Sequence, residues 1–364
     1  MTRLQALQAS LISENLDALI LTSPTARRYI TGFPSSAGLA LITPGECFFF
    51  TDFRYIEAAQ AQVRGLTVRL STRDESARKQ AIDILRDLNA ADIGFEADAM
   101  TAAEREDWER LWRQTSAATD LRLRPAQELP HSLRLRKDAD ELAAIEAAQR
   151  IAERALSEVV GQVLRSGLTE RQVCAELVYR LHLYGADGPS FPPIVASGPH
   201  SALPHAQPGD RALQRGDCVI LDMGASLDGY CSDMTRTVFL GKVSDEQRRV
   251  YDAVLRAQTA GIAAVKAGAA GREIDAAARQ VIADAGHGDH FGHGFGHGVG
   301  LEVHERPGVN PSGETPIPAG AVITAEPGIY LPGQFGVRIE DLLVVTETGS
   351  RNLTEMAKEL RIIQ

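Results

Sequence analysis

Twice in the second half of this chain the same order of signals recurs, about a hundred residues apart, and this repetition constrains the fold more than any other feature. A helical pattern opens near Asp138, with Glu141 three residues on, and runs to about Leu164; "SGLTERQVCAELVYRLHLYGA" then supplies a glycine break and a second helix. Later Ser244 and Gln247 repeat the capping-box spacing, a helix runs to about Lys266, and "AGAAGREIDAAARQVIADAG" gives the break and second helix again. Strands rich in Val, Ile and Gly follow each pair. Two helix–helix–strand units of similar size predict pseudo-symmetric halves with a site lying between them.

The first part of the chain has another rhythm. An amphipathic start (Leu4, Leu7, Leu11) leads into "DALILT", a short helical stretch, "AGLALIT" and "CFFFTD"; the helical "ESARKQAIDILRDL" and the strand-like "DIGFE" come later. That alternation predicts a small α/β domain with a central sheet. A total of 364 residues is too long for one ordinary core, and "DLRLRPAQELPHSLRLR" lacks a clean period and carries two prolines. The boundary is therefore expected within 120–136, giving a smaller domain over 1–125 and a larger α+β domain over 134–364.

A net charge of −10 argues against nucleic acid or an anionic membrane as the main partner. With no eighteen-residue apolar span and no basic–apolar leader, a cytoplasmic setting is expected. Cys47, Cys174, Cys218 and Cys231 have no metal-like spacing and read as small buried hydrophobes in a reducing compartment.

The chemistry concentrates in the repeated part. In "CVILDMGASLDGYCSDMTRTVFL", residues 218–240, Asp228-Gly229 is a hairpin signal between two β-rich runs. A turn at or next to that pair places Asp222 and Asp233 on one face of neighbouring strands, opposite or diagonal. Like charges so placed repel, and an acid inside "VILDMG" is costly to bury without a counter-charge; pairing with Arg236 accounts for Asp233 better than for Asp222. Glu326 ends the apolar run "AVITAEPGIY", and Glu340 lies two residues from Arg338 in "GVRIEDLLVV". Four acids in four apolar β-runs need positive charge, which a pair of divalent ions supplies; carboxylates with imidazole suit Mn, Co, Zn or Fe. Imidazole is concentrated nearby, since five of the nine histidines fall between His287 and His304, in a stretch too glycine-rich to be helical.

The array Asp222, Asp233, His297, Glu326 and Glu340 resembles the dinuclear site of the creatinase/aminopeptidase family with the pita-bread fold, which includes methionine aminopeptidase, prolidase and aminopeptidase P. The strings "SGPHSALPHA", "GHGFGHGVGLEVHE", "AEPGIY" and "GVRIED" are similar to its signatures and occur in the expected order. "TGFPSSAGLALIT" and "TDFRYIEAA" resemble the N-terminal domain of bacterial aminopeptidase P. The resemblance implies a C-terminal pita-bread catalytic domain behind a creatinase-like α/β domain, two divalent ions (manganese first, cobalt or zinc otherwise), and a homodimer. Asp222 would chelate one ion, Asp233 and Glu340 would bridge both, and His297 and Glu326 would complete the ligand set of the second ion. His205, His293 and His304 would contact substrate or transition state, Glu326 would act as general base, and Arg338 would orient Glu340. Glycines around the histidines would let the backbone approach the metals. His200, His287 and His290 match no such role and are expected at the surface.

The activity so implied is hydrolysis of the bond between an N-terminal residue and a following proline in short peptides. The scaffold also hosts creatine hydrolysis and lyase chemistry, and a non-catalytic binding module is a further alternative. A dipeptidase must clamp the proline carboxylate with a cation. The segment "ERPGVNPSGETPIPAGAVITA" holds no Lys or Arg past Arg306, which favours an Xaa-Pro aminopeptidase acting on longer peptides over an Xaa-Pro dipeptidase.

Overall fold

A computed structural model describes residues 1–115 and 120–364, which divide into two compact units, Met1–Arg134 and Leu135–Gln364. The first unit is built on a six-stranded sheet in the order Thr67–Leu70, Cys47–Thr51, Leu39–Ile42, Ala18–Leu21, Asp92–Phe95, Arg122–Pro125. Ala18–Leu21 pairs antiparallel with Leu39–Ile42 and parallel with Asp92–Phe95, and all four of its residues are buried, which is why it reads as an unbroken apolar run. The helix after it begins where the Ser23 side chain accepts from Ala26 N, with Pro24 at the first helical position, and stops at Gly32 with φ +67°. Ile20, Leu41, Phe48, Phe50, Ile82 and Trp108 form its core.

Residues 120–136, within which the first unit ends at Arg134, carry regular structure despite their two prolines. Strand Arg122–Pro125 pairs in parallel with Asp92–Phe95, and helix Glu128–Arg134 follows. Pro125 ends an edge strand and Pro130 sits in a first helical turn, the positions where a missing N–H costs little.

The second unit carries the repeat. Helices Ala139–Glu158 and Glu170–Leu183 in one half, and Asp245–Ala264 and Gly271–Asp284 in the other, are 20 and 14 residues long in each case. Both 20-residue helices start at reciprocal caps, Asp138 with Glu141 and Ser244 with Gln247. The first continues through one π-turn, Val159–Val163, so the periodicity read to Leu164 spans two kinds of helix.

Two sheets lie with these pairs. A four-stranded sheet runs Arg361–Ile363, Met234–Leu240, Cys218–Met223, Ile194–Ser197; a five-stranded one runs Glu305–Val309, Gly296–Gly298, Val322–Ala325, Asp341–Val345, Ser350–Asn352. The first helix pair packs Leu156, Val173 and Leu177 with Val219, Leu221 and Met223; the second packs Val254, Ala257 and Ile274 with Ile323 and Leu343. Burying each such aliphatic side chain contributes about 1.5–3 kcal/mol. Because strand side chains alternate, the packing of Val219, Leu221 and Met223 on helices sends Asp222 to the opposite face.

The hairpin forms as its sequence predicts. Leu227 pairs with Tyr230 across Asp228 (φ +47°) and Gly229 (φ +73°), and the same register continues to Met223 with Met234 and Asp222 with Thr235. Asp233 therefore stands diagonal to Asp222 on the same face.

Candidate metal centre

The face opposite the first helix pair opens into a cavity of about 270 Å³ lined by all nine residues singled out in the sequence: His205, Asp222, Asp233, His293, His297, His304, Glu326, Arg338 and Glu340. Each arrives from a different local cause. Asp222 lies in strand Cys218–Met223 and Asp233 directly precedes strand Met234–Leu240. Glu326 follows strand Val322–Ala325, where Pro327 stops the ladder. Glu340 occupies the break between strand Phe335–Arg338 and strand Asp341–Val345, which belong to different sheets.

Asp233, His297 and Glu340 each offer a ligand atom within 4.8 Å of the others. His297 Nε2 lies 3.2 Å from Glu326 Oε1 and 3.6 Å from Asp233 Oδ2. Its Nδ1 is 3.1 Å from Gly298 O and donates there, so Nε2 is the nitrogen that faces the acids: it donates to Glu326 in the metal-free site and would offer its lone pair to a bound ion. Thr235 Oγ1 donates to Glu340 Oε2 at 2.7 Å, and Thr324 Oγ1 donates to Glu326 Oε1 at 3.2 Å. Two oxygens, Asp222 Oδ1 and Asp233 Oδ1, are buried with no hydrogen-bond partner among the described residues. A buried, unpaired carboxylate oxygen costs several kcal/mol, so these are vacant acceptors aimed into a site that fits cations.

The electrostatics agree. Burial, then repulsion from Glu340, Asp222 and Glu326, pushes the Asp233 carboxyl well above its ordinary range. Burial and the charges of Glu326 and Asp222 do the same to Glu340, and burial raises Asp222 against the pull of Arg338. Glu326 differs: burial opposes its ionisation, but the hydrogen bond and charge of His297 hold it down at about 2. Burial disfavours charge on His297, and its bond to Glu326 outweighs that and raises it. Four acids share one guanidinium, and a set of hard oxygens with one imidazole suits divalent ions of the Mn, Co or Zn type.

Arg338 makes no direct bond to Glu340 and reaches it through Thr235, whose Oγ1 accepts from Arg338 and donates to Glu340 Oε2. Its Nη2 donates to Asp222 Oδ2, Nε to Thr235 Oγ1 at 3.2 Å, and Nη1 to Tyr330 OH at 2.8 Å and Pro204 O at 3.2 Å. Arg236 does not pair with Asp233 either; it donates to Asp341 Oδ1 at 2.9 Å and to the Glu340 carbonyl at 2.6 Å. Tyr330, which sequence reasoning passed over, links Arg338 to His293 Nε2 at 2.9 Å. Spacing carried no signal for it, because the strand before Glu326 and the strand that holds Tyr330 belong to different sheets. His293 Nδ1 is 2.8 Å from Gly294 O, so both of its ring nitrogens are committed and it shapes the wall.

His304 lies at the mouth, its ring 4.1 Å from that of His297; burial, then the charge of His297, lowers its pKa. His205 is exposed on the same wall. His287 and His290 pack ring to ring at 5.7 Å, half-buried, and do not line the cavity. His200 is not a free surface residue: its Nδ1 lies 2.8 Å from the buried Glu170 carboxylate. Two of the glycines around the clustered histidines are required by strand packing, and Gly294 and Gly296 also line the cavity. A Cβ on Gly296 would meet Thr324 O at 2.2 Å, and one on Gly298 would meet Arg306 O at 2.2 Å. The cysteines are free thiols, three of them buried and Cys174 partly so.

Residues 143–347 match metallopeptidase family M24, and residues 3–135 match the Creatinase/Prolidase N-terminal domain. The chain is 40% identical to the uncharacterised peptidase YqhT of Bacillus subtilis over 96% of both chains. An Xaa-Pro dipeptidase from Bacillus anthracis superposes with a TM-score of 0.93 at 37% identity, over 99% of each chain. An X-Pro aminopeptidase from Thermotoga maritima superposes with a TM-score of 0.88 at 34% identity, over 96% of this chain and 98% of that one.

Proposed function

The chain belongs to metallopeptidase family M24, and we propose that it is an Xaa-Pro peptidase, cleaving the bond between an N-terminal residue and a following proline. The observation that carries this is the buried cluster of four acids and one imidazole beside a single guanidinium, with two carboxylate oxygens left without partners. Family M24 implies divalent metal ions. In our reading the site would hold two, manganese first and cobalt or zinc otherwise, with Asp222, Asp233, His297, Glu326 and Glu340 as the residues that would bind them. The chemistry such ions supply when bound is polarisation of the scissile carbonyl and activation of water near neutral pH.

The chain's own groups do the rest. Glu326, ionised throughout the neutral range, accepts the proton of the attacking water and returns it to the departing proline nitrogen. His304 and His205, on the open wall, donate to the developing oxyanion, a contribution of about 2.7–4 kcal/mol for one donor. Arg338 fixes Asp222, and through Tyr330 it fixes the orientation of His293.

We further propose that peptides of three or more residues are preferred over Xaa-Pro dipeptides. Among the described residues lining the cavity, the only Lys or Arg is Arg338, and its guanidinium is engaged by Asp222, Thr235, Tyr330 and Pro204. No other cation there is placed to clamp a proline carboxylate. The second reading, an Xaa-Pro dipeptidase, is favoured by the Bacillus anthracis relative. A homodimer in a cytoplasmic setting belongs to the same proposal; free thiols support the setting, and light scattering tests the dimer. The experiment for the function is a peptide panel with and without proline at the second position, assayed after reconstitution with several metals. Equal cleavage of both sets would overturn the assignment.

A further inference from the structure

A second buried carboxylate cluster lies outside the cavity, at the start of helix Glu170–Leu183. Glu170 is fully buried. Its Oε1 accepts from Ser197 N at 2.8 Å and Ser197 Oγ at 2.7 Å; its Oε2 accepts from His200 Nδ1 at 2.8 Å and Gly209 N at 3.1 Å. Four donors onto one carboxylate satisfy its lone pairs, and the helix N-terminus favours its charge. What matters is where the donors come from. Ser197 and Gly209 bracket a loop, His200 lies within it, and the loop carries Pro204 and His205 onto the cavity wall.

His205 is exposed, and its imidazole has no hydrogen bond to any described residue. The place of that ring is therefore set by the backbone that carries it. On the cavity side the loop is tied by Pro204 O to Arg338 Nη1 at 3.2 Å, and by Ser201 Oγ to Gly336 N at 2.8 Å. On the other side the Glu170 carboxylate gathers the start, middle and end of the loop, with Arg211 adding a bond to Ser197 and Arg171 N one to Gly209 O.

We propose that His200 and Glu170 are positioning residues for His205: the imidazole-to-carboxylate strut sets the loop that presents His205 to substrate. The proposal rests on the reading of His205 as a substrate-contacting group. His200 is half-exposed relative to Glu170, so it is the place to test the strut without emptying the core. Glu170→Ala would strand four donors, two of them fully buried, and compromise folding. His200→Ala removes one strut. His200→Asn restores it, because an asparagine amide nitrogen stands at the same bond separation from the backbone as Nδ1.

The test measures kcat, KM and metal content of the metal-reconstituted enzyme for His200→Ala, His200→Asn, His205→Ala and the double variant His200→Ala/His205→Ala. A misplacement of about an ångström costs roughly ten- to hundredfold in turnover. We expect His200→Ala to lose kcat in that range with metal content unchanged, His200→Asn to retain most of it, and the double variant to be no slower than His205→Ala alone. Additive losses, a silent His200→Ala, or failure of asparagine to rescue would overturn the strut while leaving the role of His205 intact. A silent His205→Ala would instead overturn that role, and with it the purpose assigned to the strut.

Discussion

Arg338 and Asp222, 116 positions apart in the chain, form a buried ion pair between Nη2 and Oδ2. The pair leaves Oδ1 of the same aspartate without a partner, so one carboxylate is anchored by protein on one side and open to a cation on the other. Removing the guanidinium from a buried pair strands the charge that remains. Arg338→Ala is expected to destabilise the metal-free protein by about 3–5 kcal/mol. Arg338→Lys keeps the charge, lacks the planar fork that reaches four acceptors, and should recover only part of the loss. Urea unfolding of chelator-treated protein measures both; unchanged midpoints would contradict the pairing.

Asp233 faces His297 and Glu340 and carries the second vacant oxygen. Asp233→Ala should abolish tight loading of the expected two ions and, with it, turnover. Elemental analysis of the purified variant, alongside rate, decides the point. A fully active variant, or wild type that stays active after metal is stripped, would sink the two-ion reading.

The histidines should separate by what they lose. His297→Ala should lose metal, because Nε2 is aimed at Asp233 and Glu326. His304→Ala should keep metal and lose about 10²–10³ in kcat, the usual cost of one oxyanion donor. His290→Ala, outside the cavity, should be nearly silent. A His290 variant as damaged as the His304 one would overturn the division of roles.

Metal-free protein should become less stable as pH rises from about 5 to 7.5. Asp233 and Glu340 have folded pKa values well above the ordinary carboxylate range, for burial and mutual repulsion, so the folded state holds protons that the unfolded state has released. Their cost grows as pH climbs above the unfolded carboxylate value. His297 adds to it, since its raised pKa contributes stability that is lost as pH rises through that folded value. Glu326 acts oppositely but lower down, its contribution fading only as pH falls toward 2. Added metal should therefore raise Tm more at pH 7.5 than at pH 5. A metal-induced shift that shrinks with pH would contradict this balance.

Peptide length is settled by kcat/KM for a matched dipeptide and tripeptide sharing their first two residues. The tripeptide should be cleaved more efficiently, because Arg338 is already engaged and no other Lys or Arg among the described residues lines the cavity. A clear preference for the dipeptide would transfer the chain to the dipeptidase reading and leave fold and metal site untouched.

The sequence by itself determined what local periodicity controls. Two capping boxes and two glycine breaks set equal helix pairs. Asp228-Gly229 set a register that puts Asp222 and Asp233 on one face, because strand side chains alternate with a period of two whatever the rest of the molecule does. Arg338 and Glu340, two residues apart, also line one cavity, but strand alternation is not the cause: strand Phe335–Arg338 ends in a two-stranded ribbon, the chain crosses Ile339-Glu340, and Asp341 begins a strand of another sheet. Partners across sheets had no signal in spacing: Arg338 meets Asp222, Arg236 meets Asp341, and Tyr330 joins Arg338 to His293 only after the ribbon packs on strands 100 residues earlier in the chain. Composition found the acids that need a counter-charge; only the packed structure decided which cation already answers one of them and which oxygens are left for metal.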